Sequence, residues 1–262
     1  MSNYQYLELT TEKLVRLITI NRPEVYNSLN KAAKAEIVKA IKEANQETAI
    51  RCIILTGSGK AFSAGQDLND RTVQATERPV DLGVTLKKEW NPLINAIRNS
   101  EKIVIAAVNG VAAGAGLSVA MAADMITCHP KAKFISGFSK LGLTPDAGSS
   151  FIFEKALGYK KSLEFFLFNG PMNGATMEEY GLVNYVKEDY IEKALEWAHQ
   201  ISEMAPHSVN YIKSNLRDAM DSSYAESMEN ETKAQKFLGN SMDYKEGLSA
   251  FFDKRAPQFQ GQ

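Results

Sequence analysis

Histidine is scarce in this chain: His129, His199 and His207 are the only three among 262 residues. None stands at metal-ligand spacing from a cysteine or from another histidine, which argues against a metal centre. None has the neighbours that a nucleophile-plus-base device requires, which argues against a serine hydrolase. Cysteine is scarcer still. Cys52 lies in an apolar run and Cys128 just before His129-Pro130, a pattern of two buried, reduced thiols rather than a disulfide framework. An excess of charge of one sign is also lacking. Thirty Lys and Arg stand against thirty-one Asp and Glu, for a net charge of -1, so neither nucleic acid nor a membrane surface is an expected partner. No apolar run approaches the roughly 20 residues of a membrane span, and the start, Met1-Ser-Asn-Tyr-Gln-Tyr-Leu-Glu-Leu9, has no basic-then-apolar layout of a secretory leader. The expectation is a cytoplasmic globular protein whose 44% hydrophobic residues supply a full core.

The sequence does carry a regular alternation of strand and helix. Val15 to Ile20, Arg51 to Leu55, Ile103 to Val108 and Met125 to Cys128 are short and rich in Ile, Leu and Val, as buried strands are. Between them, Lys31 to Glu47 places Ala33, Ile37, Ala40, Ile41 and Ala44 at spacings of three and four, with Asn30 as a cap. Gly114 to Ala123 and Ala147 to Leu157 are the next helices. This alternation predicts an α/β core. After Lys187 the apolar positions Ile191, Leu195, Ala198 and Ile201, then Val209, Ile212 and Leu216, are spaced helically with almost no strand signal. The expected division is a core over 1–188 and a C-terminal helical region over 189–262.

Two turns of very small residues directly follow predicted strands. Gly57-Ser-Gly-Lys-Ala-Phe-Ser-Ala-Gly-Gln-Asp-Leu68 follows the second, and Gly110-Val-Ala-Ala-Gly-Ala-Gly116 the third. Glycine and alanine let a ligand approach the backbone, and the exposed N–H groups can hold an anion or a developing oxyanion. Tight helix-sheet packing explains the same residues equally well. Known glycine motifs fail: Ile54 stands where a phosphate-binding loop needs its first glycine and Ala61 where it needs Ser or Thr, and the dinucleotide fingerprint lacks its third glycine. A third feature is Asp146, which shares the segment from Phe134 to Phe153 with one other charge, Lys140. Phe138, Leu141, Leu143 and Phe151 form its expected apolar surround. Such a surround raises a carboxylate above its reference pKa of about 3.9 and makes it a better base. Asp is also a favoured helix cap, so Asp146 has a second reading as the cap of the helix near Ala147. Two sets of backbone donors and one carboxylate suit the movement of a proton beside a carbonyl, with the enolate held.

Asn21-Arg-Pro-Glu-Val-Tyr-Asn-Ser-Leu-Asn30, Gly59 to Leu68, Ala106 to Gly116 and Leu141-Gly-Leu-Thr-Pro-Asp-Ala-Gly148 together resemble the crotonase (enoyl-CoA hydratase/isomerase) superfamily. The resemblance spans essentially the whole chain. It implies a crotonase spiral of strand-strand-helix units with a C-terminal helical region that forms a homotrimer or a dimer of trimers. It implies acyl-CoA thioester substrates, with coenzyme A as part of the substrate and no further cofactor or metal. By motif position the enolate-holding amides are those of Ala64 and Ala115. Arg22, Val25, Gln66, Asp67 and Leu68 would border the CoA, with Phe138 beside the acyl group. Phe251 and Lys254 would close the nucleotide end, from a neighbouring subunit. Hydratases of the superfamily use two glutamates at positions that here are Ser118 and Phe138, whereas Asp146 matches the acid of its isomerases. The resemblance therefore implies an acyl-CoA isomerase with Asp146 as the single proton carrier. Hydratase activity is the alternative within the superfamily. An aryl-CoA dehalogenase is another, but its histidine base falls in a region where this chain has no histidine. A non-catalytic CoA-binding scaffold is the alternative outside enzymes.

Overall fold

The computed structural model describes residues 4–70 and 81–262. Its centre is a six-stranded sheet of β1 (Leu7–Glu12), β2 (Val15–Ile20), β3 (Cys52–Gly57), β5 (Ile103–Val108), β7 (Met125–Cys128) and β10 (Tyr185–Val186), in the order β1-β2-β3-β5-β7-β10. Only β1 runs antiparallel to its neighbour; the rest are parallel. Parallel strands covered on both faces are near-continuous hydrophobic runs, and β3 is buried at every position. Alternation still sorts its side chains. Ile53 and Leu55 face the main core with Val104, Ala106 and Val108, while Cys52 and Ile54 face the opposite side with Ile105 and Ala107. Each such aliphatic side chain contributes about 1.5–3 kcal/mol on burial.

The main core is closed by α1 (Lys31–Gln46), whose Ala33, Ile37, Ala40, Ile41 and Ala44 are fully buried, and by α3 (Asn91–Arg98) with Leu93 and Ile97. The Asn30 side chain accepts from the Ala33 N–H and caps α1 as expected. A short α2 (Leu82–Thr85) and a π-turn over Leu86–Trp90 lead into α3. The opposite face is closed by α7 (Tyr190–Ser202) through Ala194 and Ala198. The helical stretch after residue 188 is thus no uniform appendage, since its first helix seals the sheet. Next, α8 (Pro206–Ala219) is anchored by Lys213, whose ammonium meets Asp124 at 2.7 Å. Then follow α9 (Tyr224–Leu238) and α10 (Met242–Asp253), which leave Phe237, Phe251 and Phe252 half or more exposed.

A second, smaller sheet was not expected from hydrophobic periodicity. It comprises β4 (Ala61–Ser63), β6 (Val111–Ala113), β8 (Lys133–Ile135) and β9 (Met172–Asn173), in that order, with the first three parallel. Two or three residues are too few to show a period of two. In chain order α4 (Ala115–Met121) follows β6, α5 (Ser149–Phe168, broken at Gly158) follows β8 and α6 (Gly174–Glu179) follows β9.

Candidate active site

The carboxyl ends of β4, β6 and β8 converge on one cavity of about 170 Å³. From β4 come Ala64, Gln66 and Leu68; from β6 come Ala113, Gly114 and Ala115. After β8 come Gly137, Phe138, Leu141, Leu143 and Asp146, and Trp90 closes the remaining side. Asp146 is the one charged residue among the described residues lining it. A carboxylate among Phe, Leu, Trp and Ala side chains is a place to hold an acyl group and move a proton.

Glycine brings the first two turns into contact. A Cβ on Gly116 would stand 2.3 Å from the Ser63 carbonyl oxygen, and one on Gly65 would stand 2.7 Å from that of Ala113 and 3.1 Å from the Ala115 nitrogen. No side chain fits between these segments, so the small residues serve the close packing of the two turns. Ala115 is the first residue of α4, where N–H groups lack intrahelical partners.

Ala64 behaves differently from its expected role. Its N–H donates to the Tyr26 carbonyl at 2.9 Å, so that amide holds the fold rather than an enolate. In the same turn the Gly65 N–H goes to Ser63 Oγ at 3.1 Å and the Asp67 N–H to the Leu29 carbonyl at 3.2 Å. Gln66, in the same turn, lines the cavity. Motif spacing alone cannot show that the Ala64 amide is taken, because its partner Tyr26 lies in a separate turn.

The Gln66 side chain is held from behind. Its Oε1 accepts from Trp90 Nε1 at 3.1 Å and from Lys34 Nζ at 3.0 Å. Lys34 is fully buried, paired with Glu89 at 2.5 Å and lying 4.7 Å over the Trp90 ring. Neither Trp90 nor Lys34 is singled out by sequence. A lysine beside the apolar face of a helix ordinarily lies in solvent, and only the later segment that brings Glu89 and Trp90 makes its burial tolerable.

Asp146 does not cap α5. The cap position is Gly148, and the helix starts at Ser149. What Asp146 gives the helix is its main-chain carbonyl, which accepts from the Ser149 N–H at 3.1 Å. Its carboxylate Oδ1 is buried. Phe138 stands in the lining, while Ser118 is buried beneath it and gives its hydroxyl to the Asp146 carbonyl. Phe151, expected in the apolar surround, instead lines a neighbouring cavity with Ala147 and Gly148.

Arg22 and Asp67 also find each other rather than open solvent. Their side chains meet at 2.8 Å, and Arg22 donates as well to the Ser28 carbonyl at 2.5 Å. They brace the Arg22–Ser28 turn against the one after β4. Val25 ends a 3-10 turn beside them, and neither it, Arg22 nor Asp67 lines the cavity. Phe251, 77% exposed, and Lys254 stand at the end of α10, away from the lining within one subunit. Among the described residues no group of three His, Cys, Asp or Glu side chains could hold a metal ion, and no helix is long and apolar enough to cross a membrane.

Two touching backbone turns and an acid thus stand together at the strand ends of the smaller sheet. A family model described as enoyl-CoA hydratase/isomerase matches residues 10–262, and the chain belongs to that family. It is 36% identical to 1,2-epoxyphenylacetyl-CoA isomerase of Escherichia coli K12, over 95% of this chain and 96% of that protein. It is 32% identical to a probable enoyl-CoA hydratase of Rhodobacter capsulatus, over 99% of each chain. Among solved structures, an enoyl-CoA hydratase subunit I of Geobacillus kaustophilus matches with a TM-score of 0.90 at 32% identity, covering all of both chains.

Proposed function

We propose that this protein is an acyl-CoA isomerase that moves a proton through a thioester enolate, with Asp146 as its single base. The observation that carries this reading is the lining itself: Asp146 is its one charged residue among the described residues. Addition of water to a double bond calls for one group to activate the water and another to handle the proton. Here Phe138 brings a phenyl ring to one of the two positions where the superfamily's hydratases carry an acid, and the Ser118 hydroxyl at the other turns to a backbone carbonyl.

In this reading the thioester oxygen lies at the first turn of α4, where the Ala115 N–H holds it, with the Gln66 N–H as the second donor. Donors aimed at a developing oxyanion are worth about 2.7–4 kcal/mol each. Asp146 takes the proton alpha to the thioester. Returned two carbons further along the chain, that proton converts a 3-enoyl-CoA to a 2-enoyl-CoA. With a ring-1,2-epoxyphenylacetyl-CoA, reprotonation accompanies ring expansion to the oxepin. Both reactions rearrange one molecule and need neither metal nor redox cofactor. The similarity to the E. coli isomerase supports the epoxide as substrate. The CoA would lie along the exposed Leu68 side, with Phe251 and Lys254 of a neighbouring subunit at its nucleotide end in a homotrimer or a dimer of trimers.

The test is Asp146→Asn assayed with a 3-enoyl-CoA and with the epoxide. Loss of both activities with CoA binding retained is the expected result, and near-wild-type rates on both would refute the single-base mechanism. Wild-type protein should hydrate crotonyl-CoA poorly, and fast hydration would overturn the case made from Ser118 and Phe138.

A further inference from the structure

The main-chain carbonyl of Asp146 is a meeting point of three donors. Ser118 Oγ reaches it from α4 at 3.1 Å, Ser149 Oγ from the first residue of α5 at 2.8 Å, and the Ser149 N–H at 3.1 Å. Both serines are fully buried. A carbonyl oxygen has two lone pairs, so satisfying it needs fewer donors than it has. The next two residues explain the need for more. Ala147 and Gly148 both take left-handed backbone, with φ of 51° and 81°. For alanine that conformation costs roughly 1–2 kcal/mol and persists only where the surroundings impose it.

The two hydroxyls come from different directions. Ser149 is local to the turn. Ser118 belongs to the helix that begins with Ala115, three residues earlier, and residues three apart share a helix face. One short rigid helix therefore carries both the Ala115 amide and the hydroxyl that holds the Asp146 backbone. We infer that Ser118, with Ser149, is a positioning residue that sets the distance between the enolate-holding amide of Ala115 and the carboxylate of Asp146. The inference rests on the isomerase reading above. Without the two hydroxyls, the left-handed turn relaxes and the carboxylate shifts. A misplacement of about 1 Å costs on the order of a hundredfold in rate.

The experiment combines Ser118→Ala and Ser149→Ala, in the wild-type background and with Asp146→Asn, and measures kcat and KM on a 3-enoyl-CoA together with the thermal midpoint. The serine pair should lower kcat by about 10- to 100-fold, with KM within about twofold because the lining is untouched. Ser149→Thr, which keeps a hydroxyl, should recover most of the rate lost by Ser149→Ala. With Asp146→Asn already present, the serine changes should cost nothing further, since residues that act through one group are non-additive. Equal losses in both backgrounds, or wild-type kcat in the serine pair, would overturn the inference. Should Asp146→Asn alone keep wild-type turnover, the isomerase reading falls and the inference with it. An inactive Asp146→Asn beside a fully active serine pair sinks only the inference. The single change Ser118→Ala decides the matter if the serine pair fails to fold: kcat should fall by several-fold with KM within about twofold. Full kcat in Ser118→Ala would then overturn the inference.

Discussion

The two sides of the cavity are built by different means. On the donor side, the turns after β4 and β6 touch through Gly65 and Gly116, and their amides are placed chiefly by backbone packing, with the Ser63 hydroxyl holding the Gly65 N–H. On the acid side, the Asp146 turn carries a left-handed alanine and is held by hydroxyls from Ser118 and Ser149. The difference teaches where each function is vulnerable. Donor geometry is inseparable from the fold, so damage there should register as lost stability. Acid geometry is held by a few polar contacts, so damage there should register as lost rate.

Asp146→Asn should show the largest effect. Removing a general base costs about 10²–10⁴ in kcat, while the thermal midpoint stays within a few degrees, because Asn keeps the main-chain carbonyl and nearly the same volume. A large drop in stability would break the contrast. Gly116→Ala is the donor-side counterpart. Its Cβ would press within 2.3 Å of the Ser63 oxygen, an overpacking that costs about 1–3 kcal/mol or more, read by denaturant unfolding. Whatever folded protein remains should lose activity through a displaced Ala115 amide. Gln66→Ala sharpens the comparison at lower cost. Trp90 Nε1 and Lys34 Nζ lose a shared acceptor, which should destabilise by about 1–3 kcal/mol. A donor that is a backbone amide survives the change, so kcat should fall by no more than several-fold. A loss as large as that of Asp146→Asn would assign chemistry to the Gln66 side chain. The smallest effect concerns the thiols. Burial pushes Cys52 and Cys128 up to about 12, and thiolate is the reactive form. Iodoacetamide at pH 8 should leave the folded protein and its activity unchanged, and fast alkylation would show that the core around β3 and β7 opens.

The major sheet and α1 were legible in the sequence because their patterns are long enough to register: five apolar positions on α1, and runs rich in Ile, Leu and Val on β2, β3 and β5. The second sheet was not, because strands of three residues carry no pattern. Yet these strands aim the site, and their only trace is the small-residue turn that follows each of the first two. The turns and Asp146 were found for chemical reasons, and the structure gathers Ala115, Asp146, Gln66 and Phe138 around one cavity. Ala64 was misassigned as a donor because its partner, Tyr26, lies in a distant turn that spacing cannot register. Trp90 and Lys34 escaped notice for a related reason: a buried lysine is intelligible only beside the Glu89, Gln66 and Trp90 that compensate it. Arg22 and Asp67, expected to border the CoA, form a largely buried ion pair, a mutual contact that no linear motif reveals.

The central claim is that Asp146 alone moves the proton beside the thioester. Loss of deuterium from the alpha carbon of a 2,2-dideuterated 3-enoyl-CoA, followed by NMR for wild type and Asp146→Asn, tests it most directly. The account predicts rapid loss with wild type and loss no faster than the uncatalysed background with Asp146→Asn. Wild-type loss by Asp146→Asn would contradict it.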